Sequence, residues 1–130
     1  MKALFLLADA AQVADGKLNL LGGGWSITTG QVPSALAVKI DVPWNDANTP
    51  HTLALRLVDS DGNVVLDLGS QTFEVGRPPG LPPGTSIDHV MAVNLGPIPG
   101  LQVGETYVWE LTIDGEVSDE WRNPFYVRPA

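Results

Sequence analysis

Apolar and polar residues alternate with a period of two along much of this chain. The clearest cases are residues 36–42, 53–57 and 107–113, in which every second side chain is apolar. Successive side chains of a β-strand point to opposite faces, so each segment buries one face and exposes the other. Half-exposed strands joined by short turns are typical of antiparallel sheets. The pattern therefore predicts an all-β fold.

Turn-forming residues divide the chain into about seven to nine predicted strands, spaced as in a β-sandwich. The predicted strands are residues 2–13, 17–21, 35–42, 51–58, 64–68, 86–95, 105–113 and 125–128, with continuations at 25–28 and 71–75. Two segments rich in proline and glycine, 76–84 and 96–100, have room to carry the chain between sheets. We predict one antiparallel, immunoglobulin-like β-sandwich that occupies residues 1–130 as a single domain.

The charge distribution narrows the class of partner. The formal net charge is −8, and no Lys or Arg occurs between Pro78 and Trp121. A duplex DNA binder needs a basic face that displaces counterions, and an anionic membrane surface also attracts basic residues. We therefore expect no nucleic-acid partner and no binding to such a membrane surface.

Two further sequence features suggest a cytoplasmic protein. The chain has no cysteine, which agrees with a reducing compartment and excludes thiolate metal sites. The apolar run at residues 3–8 is shorter than the core of a signal peptide, and no run reaches the length of a membrane span. We interpret the first residues as a strand buried on both faces and expect no membrane insertion.

Asp59 and Asp61 are the weak candidates for a metal site. Oxygen ligands at alternate positions suit calcium, but an EF-hand loop starting at Asp59 would need glycine where Val64 stands and glutamate where Ser70 stands. Calcium between loops, held by Asp61 with Asp114 or Asp46, is the alternative. A hairpin turn explains the same residues, so we expect no metal and no cofactor.

The residues for catalysis are sparse. No G-x-S-x-G motif accompanies the two histidines, His51 and His89, and His89 shares a strand face with Met91. Acidic pairs such as Glu110 with Asp119 or Glu116 arise by chance in so acidic a chain. We expect no enzyme; a hydrolase is the alternative, and it would need carboxylates grouped with His51 or His89 in a pocket.

Residues that interrupt the alternation are the candidates for binding. Trp25, Trp44 and Trp121 lie in or beside loops, and Arg77 begins the proline-rich segment. Exposed tryptophans stack on sugar rings or anchor protein interfaces, whereas the alternative is that each closes an open end of the core. Residues 78–84 also resemble a polyproline ligand, but their position between two strands favours a rigid crossover.

Several motifs together resemble a bacterial family of short β-sandwich proteins of unknown function. They are D-A-A-Q-V at 9–13, D-G-K-L-N-L-L-G-G-G-W at 15–25, D-x-D-G at 59–62, and E-T-Y-x-W-x-L-x-I-D-G at 105–115. The resemblance covers nearly the whole chain and implies no activity, cofactor or catalytic residue.

The function predicted from the sequence is a non-catalytic protein-interaction or structural module. It would bind a protein partner or associate with itself through an edge strand, because unpaired strands at sheet edges are templates for pairing. The alternative is a carbohydrate-binding module that uses the loop tryptophans.

Overall fold

The computed structural model describes residues 1–30 and 32–129. This part contains ten strands and two three-residue 3₁₀ turns, Trp44–Asp46 and Asp119–Trp121, which confirms the all-β prediction. The strands are β1 Lys2–Ala8, β2 Ala10–Ala14, β3 Lys17–Leu21, β4 Ile27–Thr28, β5 Ser34–Val42, β6 His51–Val58, β7 Val64–Phe73, β8 Ile87–Leu95, β9 Thr106–Ile113 and β10 Arg122–Val127. Within these residues no helix has the length and apolarity needed to cross a membrane.

The strands form three sheets. One has three strands in the order β1-β5-β8, one has five in the order β4-β10-β9-β6-β7, and β2 pairs with β3 as a hairpin. Every pairing is antiparallel except that of β4 with β10, which is parallel. The prediction of purely antiparallel pairing is wrong at that edge, where the short β4 runs beside the last strand of the chain.

The two larger sheets contribute side chains to one buried cluster. Alternate residues of β5, from Leu36 to Val42, and alternate residues of β9, from Tyr107 to Ile113, belong to it. Trp109 is only 1% exposed, and Tyr107 is also buried, as the alternation over residues 107–113 predicts for the apolar face of that segment. We call the sheet faces that supply this cluster the inner faces and the opposite faces the outer faces.

The first predicted strand, residues 2–13, is wrong in extent, and it is not buried on both faces, since Leu4 is 55% exposed. The structure interrupts it at Asp9, and β1 and β2 belong to different sheets. The Asp9 N–H donates to the carbonyl oxygens of Leu21 (3.0 Å) and Gly22 (3.3 Å) instead of pairing with β5. Gly22 has φ +61°, and a side chain there would collide with the Asp9 carboxyl group.

Other boundaries differ by a few residues. The sequence predicts that residues 71–75 continue the strand at 64–68, and β7 does run unbroken from Val64, although it ends at Phe73. β10 starts at Arg122 and not at Phe125. Segments 76–84 and 96–100 lie between strands of different sheets, as the sequence predicts.

The β2–β3 hairpin packs on the outer face of the three-stranded sheet. Small residues make this close approach possible, since Ala35 and Ala37 of β5 are buried against Ala11 of the hairpin. The Asn94 side chain of β8 completes the contact: its amide donates to the Ala11 carbonyl at 2.7 Å and accepts from the Ala11 N–H at 3.1 Å. The Asn94 amide thereby hydrogen-bonds both backbone groups of Ala11, as a neighbouring strand would.

Candidate functional site

Two of the candidate tryptophans lie against the core. Trp121 is 5% exposed and belongs to the buried cluster. Trp25 is half-buried, and its ring meets the Phe125 ring edge-on at a centroid distance of 5.9 Å. The cavity beside Trp25 has a volume of about 10 Å³, which is near the minimum for one water molecule. Trp121 therefore offers no open ring face of the kind on which a sugar stacks.

Trp44 and Arg77 form a pair at the start of the proline-rich segment. The Arg77 guanidinium lies 4.5 Å from the centre of the Trp44 ring, and its Nε and Nη2 donate to the Trp44 carbonyl at 3.2 and 2.7 Å. Trp44 also packs against the core. A sugar would therefore have to displace Arg77, so carbohydrate binding stays a prediction that the geometry does not favour.

Replacing Arg77 with lysine tests this pair. Lysine keeps the charge but lacks the planar fork that stacks on the ring while holding the carbonyl. We expect the free energy of unfolding to fall by about 1 kcal/mol and tryptophan fluorescence to change in the folded state. Urea unfolding followed by fluorescence measures both, and Arg128→Lys is the matched control. A loss no larger than the control's would contradict the assigned role.

Asp59 and Asp61 lie in the turn between β6 and β7. One Asp59 carboxylate oxygen accepts from the N–H groups of Asp61 and Asn63, both at 2.9 Å. The Asp59 N–H donates to the Asn63 carbonyl at 2.9 Å. The Asp59 carboxylate thus stabilises the hairpin turn. Within residues 1–30 and 32–129, no three His, Cys, Asp or Glu side chains converge in a way that could hold a metal ion.

The structure brings together a histidine and an aspartate that are distant in sequence. His51 Nδ1 lies 2.8 Å from Asp114 Oδ2, and His51 Nε2 lies 2.7 Å from the Asp46 carbonyl oxygen. A carboxylate and a carbonyl both only accept hydrogen bonds, so this geometry favours the imidazolium form of His51, in which both ring nitrogens donate. The other Asp114 oxygen accepts from the Thr52 N–H at 2.9 Å.

The pKa values of both partners are shifted towards their charged forms. Burial lowers the pKa of His51, but the Asp46 carbonyl and the Asp114 carboxylate outweigh it, so the pKa is raised from its ordinary 6.5. For Asp114, burial raises the pKa, whereas the Thr52 N–H and His51 lower it, and the net result is a lowered pKa. The pair joins the Trp44–Asp46 turn to the end of β9.

The cavity beside this pair has a volume of about 180 Å³. The residues that line it are Met1, Asp46, His51, Ile113, Asp114, Glu116 and Trp121. The cavity therefore groups carboxylates with His51, as the hydrolase alternative requires, but both nitrogens of His51 are already hydrogen-bonded. The group can therefore hold the turn in place, but His51 has no free nitrogen with which to accept a proton.

His89 has a packing role. Its ring stacks on the Phe73 ring at a centroid distance of 4.6 Å and an interplanar angle of 12°. Burial lowers the pKa of His89. Phe73 also lies 5.5 Å from the His51 ring, so one phenyl ring separates the two histidines.

Glu110 is engaged by two arginines on the outer face of the five-stranded sheet. Its carboxylate oxygens lie 2.9 Å from Arg56 Nε and 3.4 Å from Arg122 Nε. Glu110 and Asp119 line one broad surface depression of about 520 Å³. The three charged side chains lie on neighbouring strands, because Glu110 is in register with both Arg56 and Arg122.

Strand β8 is an edge of the three-stranded sheet. Within the described residues it pairs with β5 on one side only, in an unbroken register from Ile87 to Leu95. On β1, the carbonyls of Phe5 and Leu7 accept from groups other than β5. Along an antiparallel ladder, residues that hydrogen-bond to the neighbouring strand alternate with residues whose backbone groups point away from it. Phe5 and Leu7 therefore point away from β5, and the β5 residues opposite them point away from β1.

This alternation determines which β8 groups are unpaired. Leu36 and Val38, which face Leu7 and Phe5, direct their backbone groups towards Val93 and Met91 of β8. The intervening β8 residues therefore direct their backbone N–H and C=O groups away from β5. These outward residues are Asp88, Val90, Ala92 and Asn94.

The other edges of the two larger sheets carry features that limit strand pairing. β4 has only two residues. The ladder between β6 and β7 has two register irregularities, and Gly69 of β7 has a positive φ. On β1, the Asn123 side chain donates to the Phe5 carbonyl at 2.9 Å, and the Gly24 N–H donates to the Leu7 carbonyl. By contrast, β8 contains no proline, glycine or lysine, and its pairing with β5 has no register break.

Comparison with known proteins gives one match. No curated protein and no solved structure matches the chain. A family model described as a family of unknown function, DUF6941, matches residues 3–128, which agrees with the resemblance to a family without an assigned activity. The chain therefore belongs to the DUF6941 family of unknown function.

Proposed function

We propose that this chain is a non-catalytic protein-interaction module that binds an extended strand at the free edge of β8. The observation that carries the proposal is the row of outward backbone groups at Asp88, Val90, Ala92 and Asn94. An added strand would gain its affinity from main-chain hydrogen bonds and its specificity from alternate side chains. The function is thus strand addition to an existing sheet.

The proposed partner is a protein and not a nucleic acid. β8 lies in the segment from Pro78 to Trp121, which contains no Lys or Arg. Nucleic-acid binding depends on basic residues that neutralise phosphates, whereas strand addition depends on backbone groups that every polypeptide carries.

The absence of catalysis is part of the proposal. The histidine that lies beside a cavity, His51, has both ring nitrogens hydrogen-bonded to Asp46 and Asp114. A general base needs a nitrogen within reach of the proton it removes. This engagement supports a structural role for His51.

The fold and location complete the proposal. Because both larger sheets supply one buried cluster, we propose that residues 1–130 form a single immunoglobulin-like β-sandwich. The cysteine-free composition supports a cytoplasmic location.

Selection from a phage-displayed peptide library tests strand addition. The chain is immobilised sparsely, so that neighbouring copies cannot meet. We expect selected peptides to bind the native chain and Val90→Thr but not Val90→Pro, because proline removes one outward N–H and leaves the ladder to β5 intact. Val90→Thr keeps the N–H and the branched shape and is the matched control.

Two results would contradict the proposal. One is a selection that returns no peptide above background. The other is a set of peptides that bind Val90→Pro as tightly as the native chain, with circular dichroism showing that the variant is folded.

A further inference from the structure

We infer that the strand that adds to β8 is β8 of a second copy of this chain, paired antiparallel about a two-fold axis at Met91. This inference rests on the proposed function, because it names the partner for the same edge. The result would be one continuous six-stranded sheet in the order β1-β5-β8-β8-β5-β1. Isologous two-fold contacts of this kind are the commonest in soluble oligomers.

The register follows from the outward backbone groups. In a pairing centred on Met91, Val90 faces Ala92 of the second copy and Asp88 faces Asn94. Each of these is an outward residue, so all the outward groups of both copies pair with one another. A shift by two residues in either direction leaves outward groups without partners. The centred register therefore satisfies the most backbone groups.

The side chains of β8 are self-complementary in that register. The sequence I-D-H-V-M-A-V-N-L places Ile87 opposite Leu95 of the second copy and Asp88 opposite Asn94. No two like charges lie directly opposite each other, an arrangement that would destabilise a sheet. The Asn94 amide uses one N–H for the Ala11 carbonyl, so its second N–H is available to the Asp88 carboxylate.

The inner face also gains by the pairing. Met91 and Val93 are half-buried residues packed at the margin of the core. In the dimer, Met91 lies opposite Met91 of the second copy, and Val93 lies opposite His89 of the second copy. The same pairing thus covers apolar side chains that a single copy leaves at the edge of its sheet.

The net charge opposes this association and should make it depend on salt concentration. Each copy has a formal charge of −8, although Lys39 lies 3.5 Å from Asp88 and offsets the carboxylate nearest the axis. Repulsion between exposed charges is screened over about 8 Å at physiological ionic strength. The dimer should therefore strengthen as salt is added.

A cysteine at the axis tests the register. The native chain has no cysteine, so Met91→Cys introduces a single thiol. Residues at the axis form a non-hydrogen-bonded pair with Cα atoms about 4.5 Å apart, within the range for a disulfide. We expect mild oxidation to give a covalent dimer in non-reducing electrophoresis.

Val93→Cys is the matched control. In the centred register the two copies of residue 93 lie about 13 Å apart along the strands, which is too far for a disulfide. We therefore expect less than about one tenth of the crosslinking seen at position 91, on the basis of this distance requirement. Equal crosslinking at both positions, or more at 93, would overturn the register.

Light scattering of the native chain tests the association without a thiol. We expect a dimer that becomes tighter with salt and is lost in Val90→Pro but kept in Val90→Thr. Val90→Glu is a second disruptive variant if proline prevents folding. It places one carboxylate of each copy beside Lys39 and near the axis, where the two carboxylates repel each other. Dimers that persist in both disruptive variants would place the contact elsewhere and overturn the inference.

One result separates this inference from the proposed function. A chain that stays monomeric at all concentrations, shows no crosslinking at position 91 and still selects peptides through the Val90 edge would overturn the dimer alone. Strand addition would then stand, with another protein as its partner. A dimer that depends on Val90, with crosslinking confined to position 91, would support both.

Discussion

Replacing Trp109 with alanine is expected to lower the free energy of unfolding by about 3–5 kcal/mol. Trp109 lies on the inner face of β9, in register with Leu57 of β6 and Asn123 of β10, and is 1% exposed. Removing the indole forfeits its burial and leaves a cavity that neighbouring strands cannot close, because their registers hold them in place. The loss should therefore reach the upper part of the range for core substitutions.

Thermal and urea unfolding measure this effect and its cooperativity. We expect the melting temperature to fall by about 10–20 °C and both larger sheets to unfold in one transition, since their side chains share one cluster. Val108→Ala is the matched control, because the neighbouring Val108 is half-buried on the outer face. A loss at Trp109 no larger than at Val108, or two separate transitions, would contradict a shared core.

Period-two alternation predicted strand bounds best for strands that have a neighbouring strand on each side. β6 matches its predicted bounds, residues 51–58, and β9 differs by one residue. Both lie inside the five-stranded sheet, so every second side chain enters the core. The same reasoning failed near Asp9, because the apolar residues around it continue past the point where the chain changes sheets. That break depends on Leu21 and Gly22, which contact Asp9 only in the folded chain.

The candidate site depends on long-range pairing, which one sequence does not encode locally. The segment 87–95 has the pattern of any half-exposed strand, and its place at the sheet edge follows only from its pairing with β5. His51 and Asp114 are separated by 63 positions. The sequence predicts that His51 begins one strand and that Asp114 directly follows another, but it does not show that these two strands, β6 and β9, are neighbours.

Replacing His51 with glutamine is expected to lower the free energy of unfolding by about 2–3 kcal/mol at pH 6. The side chain is buried and donates to Asp114 and to the Asp46 carbonyl. Glutamine cannot donate in both directions with the same geometry, and it carries no charge. The Asp46 carbonyl would lose its partner, and the Trp44–Asp46 turn would lose its connection to β9. Urea unfolding measures the loss.

The matched control for this substitution is His89→Gln, because His89 lies against the same Phe73 ring as His51. His89→Gln removes a ring that stacks on Phe73 and for which the described residues provide no hydrogen bond. We therefore expect a smaller loss, of about 1 kcal/mol, from lost stacking alone. A loss at His89 equal to that at His51 would indicate that ring packing, and not hydrogen bonding, stabilises both positions.

The dependence on pH distinguishes a charged His51 from a merely well-packed one. Because the pKa of His51 is raised above 6.5 in the folded chain, its contribution to the free energy of unfolding is complete below about pH 6.5. The contribution is lost as the pH rises through the folded pKa. The pKa of Asp114 is lowered below 3.8, so its contribution is complete above that pH and is lost as the pH falls through the folded pKa.

The difference in unfolding free energy between the native chain and His51→Gln should therefore be largest between about pH 4 and 6.5. Above pH 6.5 it should shrink. The corresponding difference for His89→Gln should have the opposite slope: burial lowers the pKa of His89, so its neutral ring loses stabilising effect as the pH falls below 6.5. Urea unfolding of the three proteins from pH 4 to pH 9 gives both slopes. A difference at His51 that does not change across this range would mean that folding leaves the pKa of His51 unshifted, and it would contradict a charge pair with Asp114.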